Sequence, residues 1–341
     1  MRTLVTGATG FLGSHVVDRL VEEGRRVRAH VLEPDRAPGL EARGIEVRVG
    51  DLLQEEDLAP LVEGVDVVIH CAGVAAQRAP RENIWRVNVE GTKRLLAACS
   101  RAALPRFVYI SSVAVYGHAP PPVAEDAPKN PVNVYGESKV AAEDALWRCH
   151  SEHGLPAVAL RPCLVYGERD RRLPQFLSRM SRLPLLPLPR GGNRIVALVH
   201  VEDVVSAIVA ASTAAQAPGR AYNVTDGAPH TYRDVIDHLK ELTGRSPRIV
   251  PVPAPLFSAS LKLLLRLSRR EGRAASVDLS KSIRIFEQDS LYSLDAARRD
   301  LGFTPRVGLH EGLERTLAWS ASDESRLPPL STGTAPQRGS G

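Results

Sequence analysis

The sequence TGATGFLG at Thr6–Gly13 is the main basis for the fold that we predict for this chain of 341 residues. It follows a short apolar run, typical of a buried strand, and precedes apolar residues with helical spacing over Phe11–Glu23. The three glycines lack side chains, so the backbone can approach a pyrophosphate, whose charge the amino-terminus of a helix favours. The alternative is a plain tight turn. We predict a dinucleotide-binding loop that contains Gly7, Gly10 and Gly13.

Predicted strands and helices alternate through the first half of the chain. The predicted strands are Arg2–Thr6, Val27–Val31, Ile45–Val49, Val65–His70, Arg106–Ser111 and Pro156–Arg161. The predicted helices after Phe11–Glu23 are Glu55–Glu63, Glu82–Ala103 and a helix from Tyr135 to about His153. This alternation indicates parallel strands joined by crossover helices. We therefore predict an α/β fold, a Rossmann-type doubly wound parallel sheet, with a dinucleotide-binding domain at 1–165.

The pattern becomes irregular after Arg161. The predicted helices there are Leu173–Arg182, Val201–Ala214 and Tyr232–Thr243, and the predicted strands are Ile195–Val199 and Ala221–Val224. These elements predict a smaller carboxyl-terminal substrate-binding lobe at 166–319, interleaved with the sheet. Residues 320–341 are rich in serine, proline and glycine and are predicted to be a disordered tail.

Composition excludes several classes of protein. Hydrophobic residues make up 43% of the chain and charged residues 24%, as in ordinary soluble globular proteins. The net charge of +5 is spread along the chain without a dense basic block, which disfavours nucleic-acid binding. The four cysteines (Cys71, Cys99, Cys149, Cys163) show no Cys-x-x-Cys spacing and no metal-like pairing with histidine, so we expect reduced thiols and no metal site. We find neither a signal peptide nor an apolar run long enough for a membrane span, and expect a cytoplasmic protein.

Tyr135 and Lys139 are the strongest candidates for catalysis. Residues four apart project from one face of a helix, so the phenol and the ammonium can meet in one pocket. A tyrosine with a pKa of about 10 is a poor base near neutrality, whereas a fixed cation favours the phenolate. A lowering of the pKa by ~3 corresponds to ~4 kcal/mol. An oxidised nicotinamide in the glycine-loop site would add a second positive charge. The combination predicts an oxidoreductase.

Ser112 follows the strand predicted at Arg106–Ser111. A hydroxyl at the carboxyl end of such a strand faces the ligand crevice of the sheet. It could hold the substrate oxygen that Tyr135 protonates or deprotonates, although two serines in a turn are the simpler alternative. The next segment, His118–Pro131, contains five prolines and is predicted to be a loop over the site.

The end of the second strand should select the cofactor. An acidic residue there would accept a hydrogen bond from the ribose 2′-hydroxyl of NAD, whereas an arginine would hold the 2′-phosphate of NADP. Val31 and Leu32 fit neither role, Glu33 comes slightly late, and Arg36 could fold back. We expect NAD(P)(H), with a preference for NAD(H), unless these polar side chains are only solvated. The carboxylate of Asp51, followed by Leu52, could bind the adenine amino group or cap a helix.

These features resemble the extended short-chain dehydrogenase/reductase family over Met1–Trp319. The matching segments are Thr6–Gly13, Asp51-Leu52, His70–Gly73, Asn88–Thr92, the Ser112 segment, Tyr135-x-x-x-Lys139, Arg161-Pro162 with Tyr166-Gly167, and Val199–Val204. The resemblance implies that Tyr135 is the acid/base, that Lys139 lowers its pKa and binds the nicotinamide ribose, and that Ser112 polarises the substrate. The implied cofactor-binding residues are Gly7, Thr9, Gly10, Phe11, Leu12, Gly13, Glu33, Arg36, Asp51, Leu52, Cys71, Ala72, Gly73, Tyr135, Lys139 and Pro162.

Departures from the family patterns narrow the activity. Val113-Ala114 stands where sugar-nucleotide dehydratases place Asp-Glu, which disfavours dehydration. Leu164, preceded by Cys163, stands where many sugar-nucleotide epimerases have asparagine, which predicts an apolar pocket. The pattern is most similar to the branch of 3β-hydroxysteroid dehydrogenases and dihydroflavonol reductases.

We therefore expect an NAD(P)-dependent secondary alcohol dehydrogenase or ketone reductase acting on a lipophilic, steroid-like or isoprenoid-like secondary metabolite. The alternative is a sugar-nucleotide epimerase or 4-keto reductase. A non-catalytic dinucleotide sensor is a third reading, which the presence of both Tyr135 and Lys139 disfavours.

Two basic segments and the assembly state leave further alternatives. Arg169, Arg171 and Arg172 could bind a phosphorylated substrate, although we favour a solvated loop. Residues 256–270 combine a leucine-rich face with a basic stripe and could contact a membrane surface, but such a helix more often packs on the lobe. We expect a small-molecule substrate and a homodimer.

Overall fold

The computed structural model describes residues 1–54, 58–74, 79–181, 183–245, 247–253, 255–257, 259 and 288–322. The strands are β1 (Arg2–Thr6), β2 (Arg26–Val31), β3 (Glu46–Val49), β4 (Val67–His70), β5 (Arg106–Ile110), β6 (Ala157–Pro162), β7 (Leu164–Tyr166), β8 (Leu185–Pro189), β9 (Leu198–His200), β10 (Arg220–Val224) and β11 (Arg248–Val252). The α-helices are α1 (Phe11–Glu22), α2 (Ala37–Glu41), α3 (Ala59–Val62), α4 (Arg81–Trp85), α5 (Thr92–Arg101), α6 (Val134–His153), α7 (Leu173–Ser181), α8 (Val201–Thr213), α9 (Tyr232–Thr243), α10 (Asp295–Leu301) and α11 (Leu309–Ala321). A π-helical segment, Arg86–Gly91, joins α4 to α5.

Seven strands form one parallel sheet in the order β3-β2-β1-β4-β5-β6-β10. The chain moves from β1 outward to β2 and β3, and then returns to β4 on the opposite side of β1. This reversal of strand order opens a crevice at the carboxyl ends of β1 and β4, where doubly wound sheets bind ligands. The predicted α/β Rossmann-type fold is confirmed.

Alternating side chains of β1 enter two hydrophobic cores. Val5 packs in the core that contains Val16 of α1 and Ile208 of α8, whereas Leu4 belongs to the core that contains Leu95 of α5 and Leu146 of α6. Helices therefore cover both faces of the sheet, which explains why its central strands are continuous apolar runs.

The strand predicted at Ala221–Val224 was assigned to the lobe, and that assignment is wrong. Strand β10 pairs with β6 in parallel, Arg220 opposite Val158, and forms an edge of the main sheet. Helix α8 leads into β10 and packs in the core on the α1 side of the sheet. Local periodicity identifies a strand but not the sheet to which it belongs.

A separate hydrophobic cluster builds the smaller lobe. It contains Tyr166, Leu177, Leu198, Leu239 and Leu309, contributed by β7, α7, β9, α9 and α11. Strand β7 pairs with β9 and β8 pairs with β11, both in parallel, and β7, β8 and β11 are not predicted from the sequence.

Other predictions concern the tail, the segment 256–270 and the domain boundaries. Helix α11 ends at Ala321, so Ser320 and Ala321 are helical rather than part of a disordered tail. Residues 323–341 and most of 256–270 lie outside the described residues, and the domain boundaries at 165 and 319 remain predictions. Among the described residues, no helix combines the length and the apolar composition that a membrane span requires.

Candidate functional site

Close backbone packing at the crevice requires two of the loop glycines. Gly7 has a φ of +67°, and a Cβ atom there would lie 2.8 Å from the backbone of Ala72, in the loop after β4. A Cβ atom on Gly13 would overlap the carbonyl oxygen of Gly7. The tight turn that we set against the dinucleotide interpretation is therefore present, and it brings the β1 and β4 loops together.

The start of α1 fits a pyrophosphate. The helix begins at Phe11 with Gly10 as its N-cap, no side chain caps it, and its first turn contains no acidic residue. The first backbone N–H groups of a helix lack intrahelical acceptors, and its dipole favours an anion at this end. The chain therefore supplies at Gly10–Gly13 the donors that a dinucleotide needs.

The predicted adenosine side contains a local ion pair. Glu33 and Arg36 lie just after β2, with their side chains 3.9 Å apart. Leu32, between the strand and this turn, is exposed. The Asp51 carboxylate accepts a hydrogen bond of 2.9 Å from the backbone N–H of Leu53, and Leu52 is buried in the core. Asp51 thus stabilises a local turn, and its contact with adenine remains a prediction.

A buried histidine links β1, β4 and α5. His70 lies 2.6 Å through Nδ1 from the Thr6 hydroxyl and 2.9 Å through Nε2 from the Thr92 hydroxyl. Because Thr92 donates to the Asn88 carbonyl, we infer that it accepts from His70 Nε2–H, which leaves Nδ1 to accept from Thr6. Burial, together with the charge of Lys139, lowers the pKa of His70 to about 3. His70 is therefore neutral and fixes the end of β4.

Asn88 connects the loop after β4 to helix α6. Its side chain accepts a 2.7 Å bond from the N–H of Val74 and donates 3.1 Å and 3.0 Å bonds to the Val74 carbonyl and the Ser138 hydroxyl. Ser138 in turn donates to the Tyr135 carbonyl over 2.7 Å. The predicted cofactor residues Cys71, Ala72 and Gly73 are thus held against the helix of Tyr135. Asn88–Thr92 is recognisable in the sequence as a family motif, but the sequence alone does not reveal this function of Asn88.

Ser112 and Tyr135 meet at the carboxyl edge of the sheet. Ser112 Oγ accepts a 3.2 Å bond from the N–H of Ala114, which leaves its hydroxyl proton available for donation. Burial raises the pKa of Tyr135, while a hydrogen bond with Ser112 and the charge of Arg172 act in the opposite direction. The structure therefore brings together the predicted hydroxyl and phenol, but in the protein alone the phenol does not have the lowered pKa that we expected.

Lys139 lies on the same face of α6 as Tyr135, as its spacing predicts. Its Nζ atom donates a 2.7 Å bond to the Ile110 carbonyl and lies 5.8 Å from the Tyr135 ring centroid. Burial lowers the pKa of Lys139 to about 8. The ammonium is thus held at the end of β5, beside the phenol but bonded to the backbone.

Gly136 allows the close approach of α6 to the Ser112 turn. A Cβ atom at this position would lie 2.6 Å from the Ala114 carbonyl oxygen. Asn133 caps the helix, accepting a 2.8 Å bond from the N–H of Gly136. The spacing of Tyr135 and Lys139 in the sequence does not reveal this steric requirement.

The arginines after β7 have different surroundings. Arg169 forms a 2.6 Å ion pair with Asp18 of α1, whereas Arg172 is exposed and its charge affects the pKa of Tyr135. Pro162, at the end of β6, is buried, and so is Cys163, whereas Leu164 is 51% exposed. An apolar side chain and a cation therefore remain accessible near the carboxyl end of β6.

Comparison with known proteins agrees with this geometry. The model of the NAD dependent epimerase/dehydratase family matches residues 3–225. A ketoreductase of 4-hydroxy-2-methyl-3-oxo-4-farnesyl-3,4-dihydroquinoline-1-oxide from Stigmatella aurantiaca is 30% identical over 96% of this chain and 99% of its own. The decarboxylating sterol-4-alpha-carboxylate 3-dehydrogenase of Mus musculus is 27% identical over 92% of this chain and 89% of its own.

Solved structures show the same fold. MoeE5 in complex with UDP-glucose and NAD superimposes with a TM-score of 0.73 and is 28% identical, covering 94% of this chain and 98% of its own. The similarity to reductases and a sterol dehydrogenase confirms the resemblance inferred from the motifs. The family model covers most of the sheet, and the glycine loop, Ser112, Tyr135 and Lys139 are arranged around one crevice. This chain therefore belongs to the NAD-dependent epimerase/dehydratase family of extended short-chain dehydrogenases/reductases.

Proposed function

We propose that this protein is an NAD(P)-dependent oxidoreductase that interconverts a secondary alcohol and a ketone on a lipophilic, steroid-like or isoprenoid-like metabolite. The observation that carries the proposal is the position of the Tyr135 phenol, beside Ser112 and on the Lys139 face of α6. All three residues lie at the crevice where a doubly wound sheet binds its ligand.

Each residue has a separate function in ketone reduction. When bound, the reduced nicotinamide supplies the hydride that adds to the carbonyl carbon. Tyr135 donates its phenolic proton to the carbonyl oxygen, and Ser112 donates a hydrogen bond to the same oxygen. The backbone of Gly10–Gly13 would hold the pyrophosphate, and Lys139 the ribose, where its positive charge favours the resulting phenolate. In the oxidation direction the phenolate accepts the hydroxyl proton.

Two observations support a lipophilic substrate. Large apolar side chains are exposed after β6, among them Leu164, Phe176, Leu183 and Leu185. Two relatives are named for a farnesylated ketone and a sterol carboxylate. Burial of such surface by an apolar ligand contributes about 25 cal/mol per Å².

A sugar-nucleotide epimerase or 4-keto reductase is the second candidate. MoeE5 binds UDP-glucose with NAD, and the exposed Arg172 could pair with a diphosphate. We favour the lipophilic substrate because Leu164, rather than an amide, occupies the accessible position after Cys163.

Substrate screening and calorimetry can decide between the two candidates. Reduced nicotinamide absorbance would be followed with steroids, polyprenylated aromatics and sugar nucleotides. An apolar ligand should bind with little dependence on salt, and Leu164→Asn should weaken it by roughly 1–3 kcal/mol. Val21→Asn, at an exposed apolar position on α1, should leave binding unchanged. Micromolar binding of a UDP-sugar that weakens steeply with salt, without any response to apolar ketones, would support the epimerase instead.

Further proposals concern the cofactor, the oligomeric state and the cellular location. The local pairing of Arg36 with Glu33 favours NAD(H) over NADP(H). We also propose a homodimer in the cytoplasm; for residues 256–270, packing on the lobe stays the favoured prediction and contact with a membrane surface its alternative. Size-exclusion chromatography with light scattering tests the dimer, and vesicle sedimentation tests the membrane contact.

A further inference from the structure

Three potential metal ligands converge where helix α9 meets the start of α11. They are His238 and Glu241, one turn apart on α9, and His310, the second residue of α11. His238 Nδ1 lies 3.3 Å from Glu241 Oε2 and 3.3 Å from His310 Nδ1, and His310 Nδ1 lies 3.5 Å from Glu241 Oε2. The three atoms therefore form a nearly equilateral triangle.

This triangle has the dimensions of a zinc site. With Zn–N and Zn–O bonds of about 2.0–2.2 Å, two ligand atoms of a tetrahedral ion are separated by roughly 3.3–3.6 Å. Hydrogen bonds among the three atoms fit this arrangement less well than a shared metal ion does, because an imidazole Nδ1–H points to one acceptor in the plane of its ring. A separation of 3.3 Å is also long for a hydrogen bond between nitrogen atoms.

Buried neighbours hold the ligands in place. Leu239, which follows His238, and Leu309, which precedes His310, are both 3% exposed and belong to the same hydrophobic cluster. The two imidazole rings lie at 71° to each other with their centroids 5.2 Å apart. The backbones of both histidines are therefore fixed by the lobe core, so a metal would bind without reorganising the lobe.

We propose that His238, Glu241 and His310 form a binding site for a divalent transition-metal ion, with Zn²⁺ as the best fit. The ion would take two imidazole nitrogens and one carboxylate oxygen, and a water molecule would complete its coordination. The site would join α9 to α11 and thereby stabilise the small lobe. We did not expect it from the sequence because His310 belongs to a helix far along the chain.

Calorimetric titration of the chelator-treated full chain with Zn²⁺ tests the proposal. Saturable one-to-one binding is expected, with visible absorption typical of tetrahedral Co²⁺ when that ion replaces zinc. His238→Ala and His310→Ala should each weaken binding at least tenfold and abolish the rise in Tm that zinc produces in the unmodified protein. Mg²⁺, which prefers oxygen ligands, should not compete.

Two control variants separate this site from other zinc ligands. His153→Ala removes an exposed histidine of α6, and Cys71→Ser removes a partly exposed thiol; neither should change the affinity. The proposal is overturned if no saturable binding is found, if the His238 and His310 variants bind as well as the unmodified protein, or if only Cys71→Ser weakens binding.

Discussion

Arg161 donates two hydrogen bonds, of 2.9 and 2.7 Å, to the carboxylate of Glu143. Glu143 follows Lys139 by one turn of α6, and both partners of the ion pair are buried. Lys129 adds a second cation, 2.9 Å from the Glu143 carboxylate, and Arg161 also donates to the carbonyl of Glu125 over 2.9 Å. The ion pair thus joins the predicted loop His118–Pro131 to the helix that carries the proposed catalytic residues Tyr135 and Lys139.

Glu143→Ala should destabilise the protein by ~3–5 kcal/mol, because it leaves the Arg161 guanidinium buried without its carboxylate. Glu137→Ala is the matched control on the same helix: in its 2.9 Å ion pair with Arg81, Arg81 is exposed and Glu137 is partly exposed, so we expect a loss below ~1 kcal/mol. Denaturant unfolding measures both. Equal, small losses would show that the buried pair contributes little.

The Glu143 prediction also has a pH dependence. Burial alone would raise the pKa of Glu143, but hydrogen bonds and charge from Arg161 and the charge of Lys129 lower it. An acid whose pKa is lowered on folding stabilises the protein above its unfolded pKa, about 4.3, and this contribution is lost as the pH falls further. The stability difference between the unmodified protein and Glu143→Ala should therefore shrink in acid.

Tyr135→Phe should lower kcat by at least ~100-fold, the usual scale for loss of a general acid/base, with little change in cofactor affinity. Ser112→Ala should lower kcat in the same direction. Ser111→Ala is its matched control, because Ser111 donates to Glu143 over 2.5 Å and its removal should affect stability rather than turnover. Near-normal turnover of Tyr135→Phe would eliminate its proposed role.

Gly136→Ala should reduce kcat, since its methyl group would lie 2.6 Å from the Ala114 carbonyl and push α6 away from the Ser112 turn. Gly39→Ala provides a control: apart from the neighbouring backbone of helix α2, in which it lies, no atom of the described residues comes within 4 Å of a Cβ there. That variant should keep full activity and equal or slightly higher stability. Full activity of Gly136→Ala would mean that the helix position tolerates the shift.

The sequence predicts contacts that depend on local spacing, but not contacts that depend on packing between distant segments. Tyr135 and Lys139 are four residues apart, so helix geometry alone places them on one face, and the glycine loop is similarly local. Glu143 continues the same i, i+4 series and could have been identified from that spacing. Its partner Arg161 could not, because that contact depends on the packing of β6 beneath α6. Strand β10 was assigned to the wrong part of the fold for the same reason.

Lys139→Met should abolish activity but raise the stability of the cofactor-free protein at pH 7. Burial lowers the Lys139 pKa from 10.5 to about 8, so the charged form is disfavoured in the folded state by on the order of 3 kcal/mol. As the pH rises above about 8, the folded protein loses this proton before the unfolded chain does, and the unmodified protein gains stability. Thermal unfolding between pH 7 and 10 should therefore show the advantage of Lys139→Met narrowing. An advantage that widens with pH would contradict this interpretation.

The choice of cofactor depends on whether Glu33 keeps Arg36 from a 2′-phosphate. The two side chains lie 3.9 Å apart, so the unmodified protein should show a higher kcat/KM with NAD(H) than with NADP(H). Glu33→Ala removes both the carboxylate that repels the phosphate and the partner of Arg36, and should shift the ratio of the two kcat/KM values towards NADP(H) by at least ~10-fold, equivalent to ~1.4 kcal/mol.

Asp35→Ala changes the net charge equally but removes an exposed carboxylate of the same turn, so it should shift the ratio far less. Steady-state kinetics with both cofactors measures the three proteins. A tenfold preference of the unmodified protein for NADP(H), lost in Arg36→Ala, would show instead that Arg36 already binds the phosphate and that Glu33 does not restrain it.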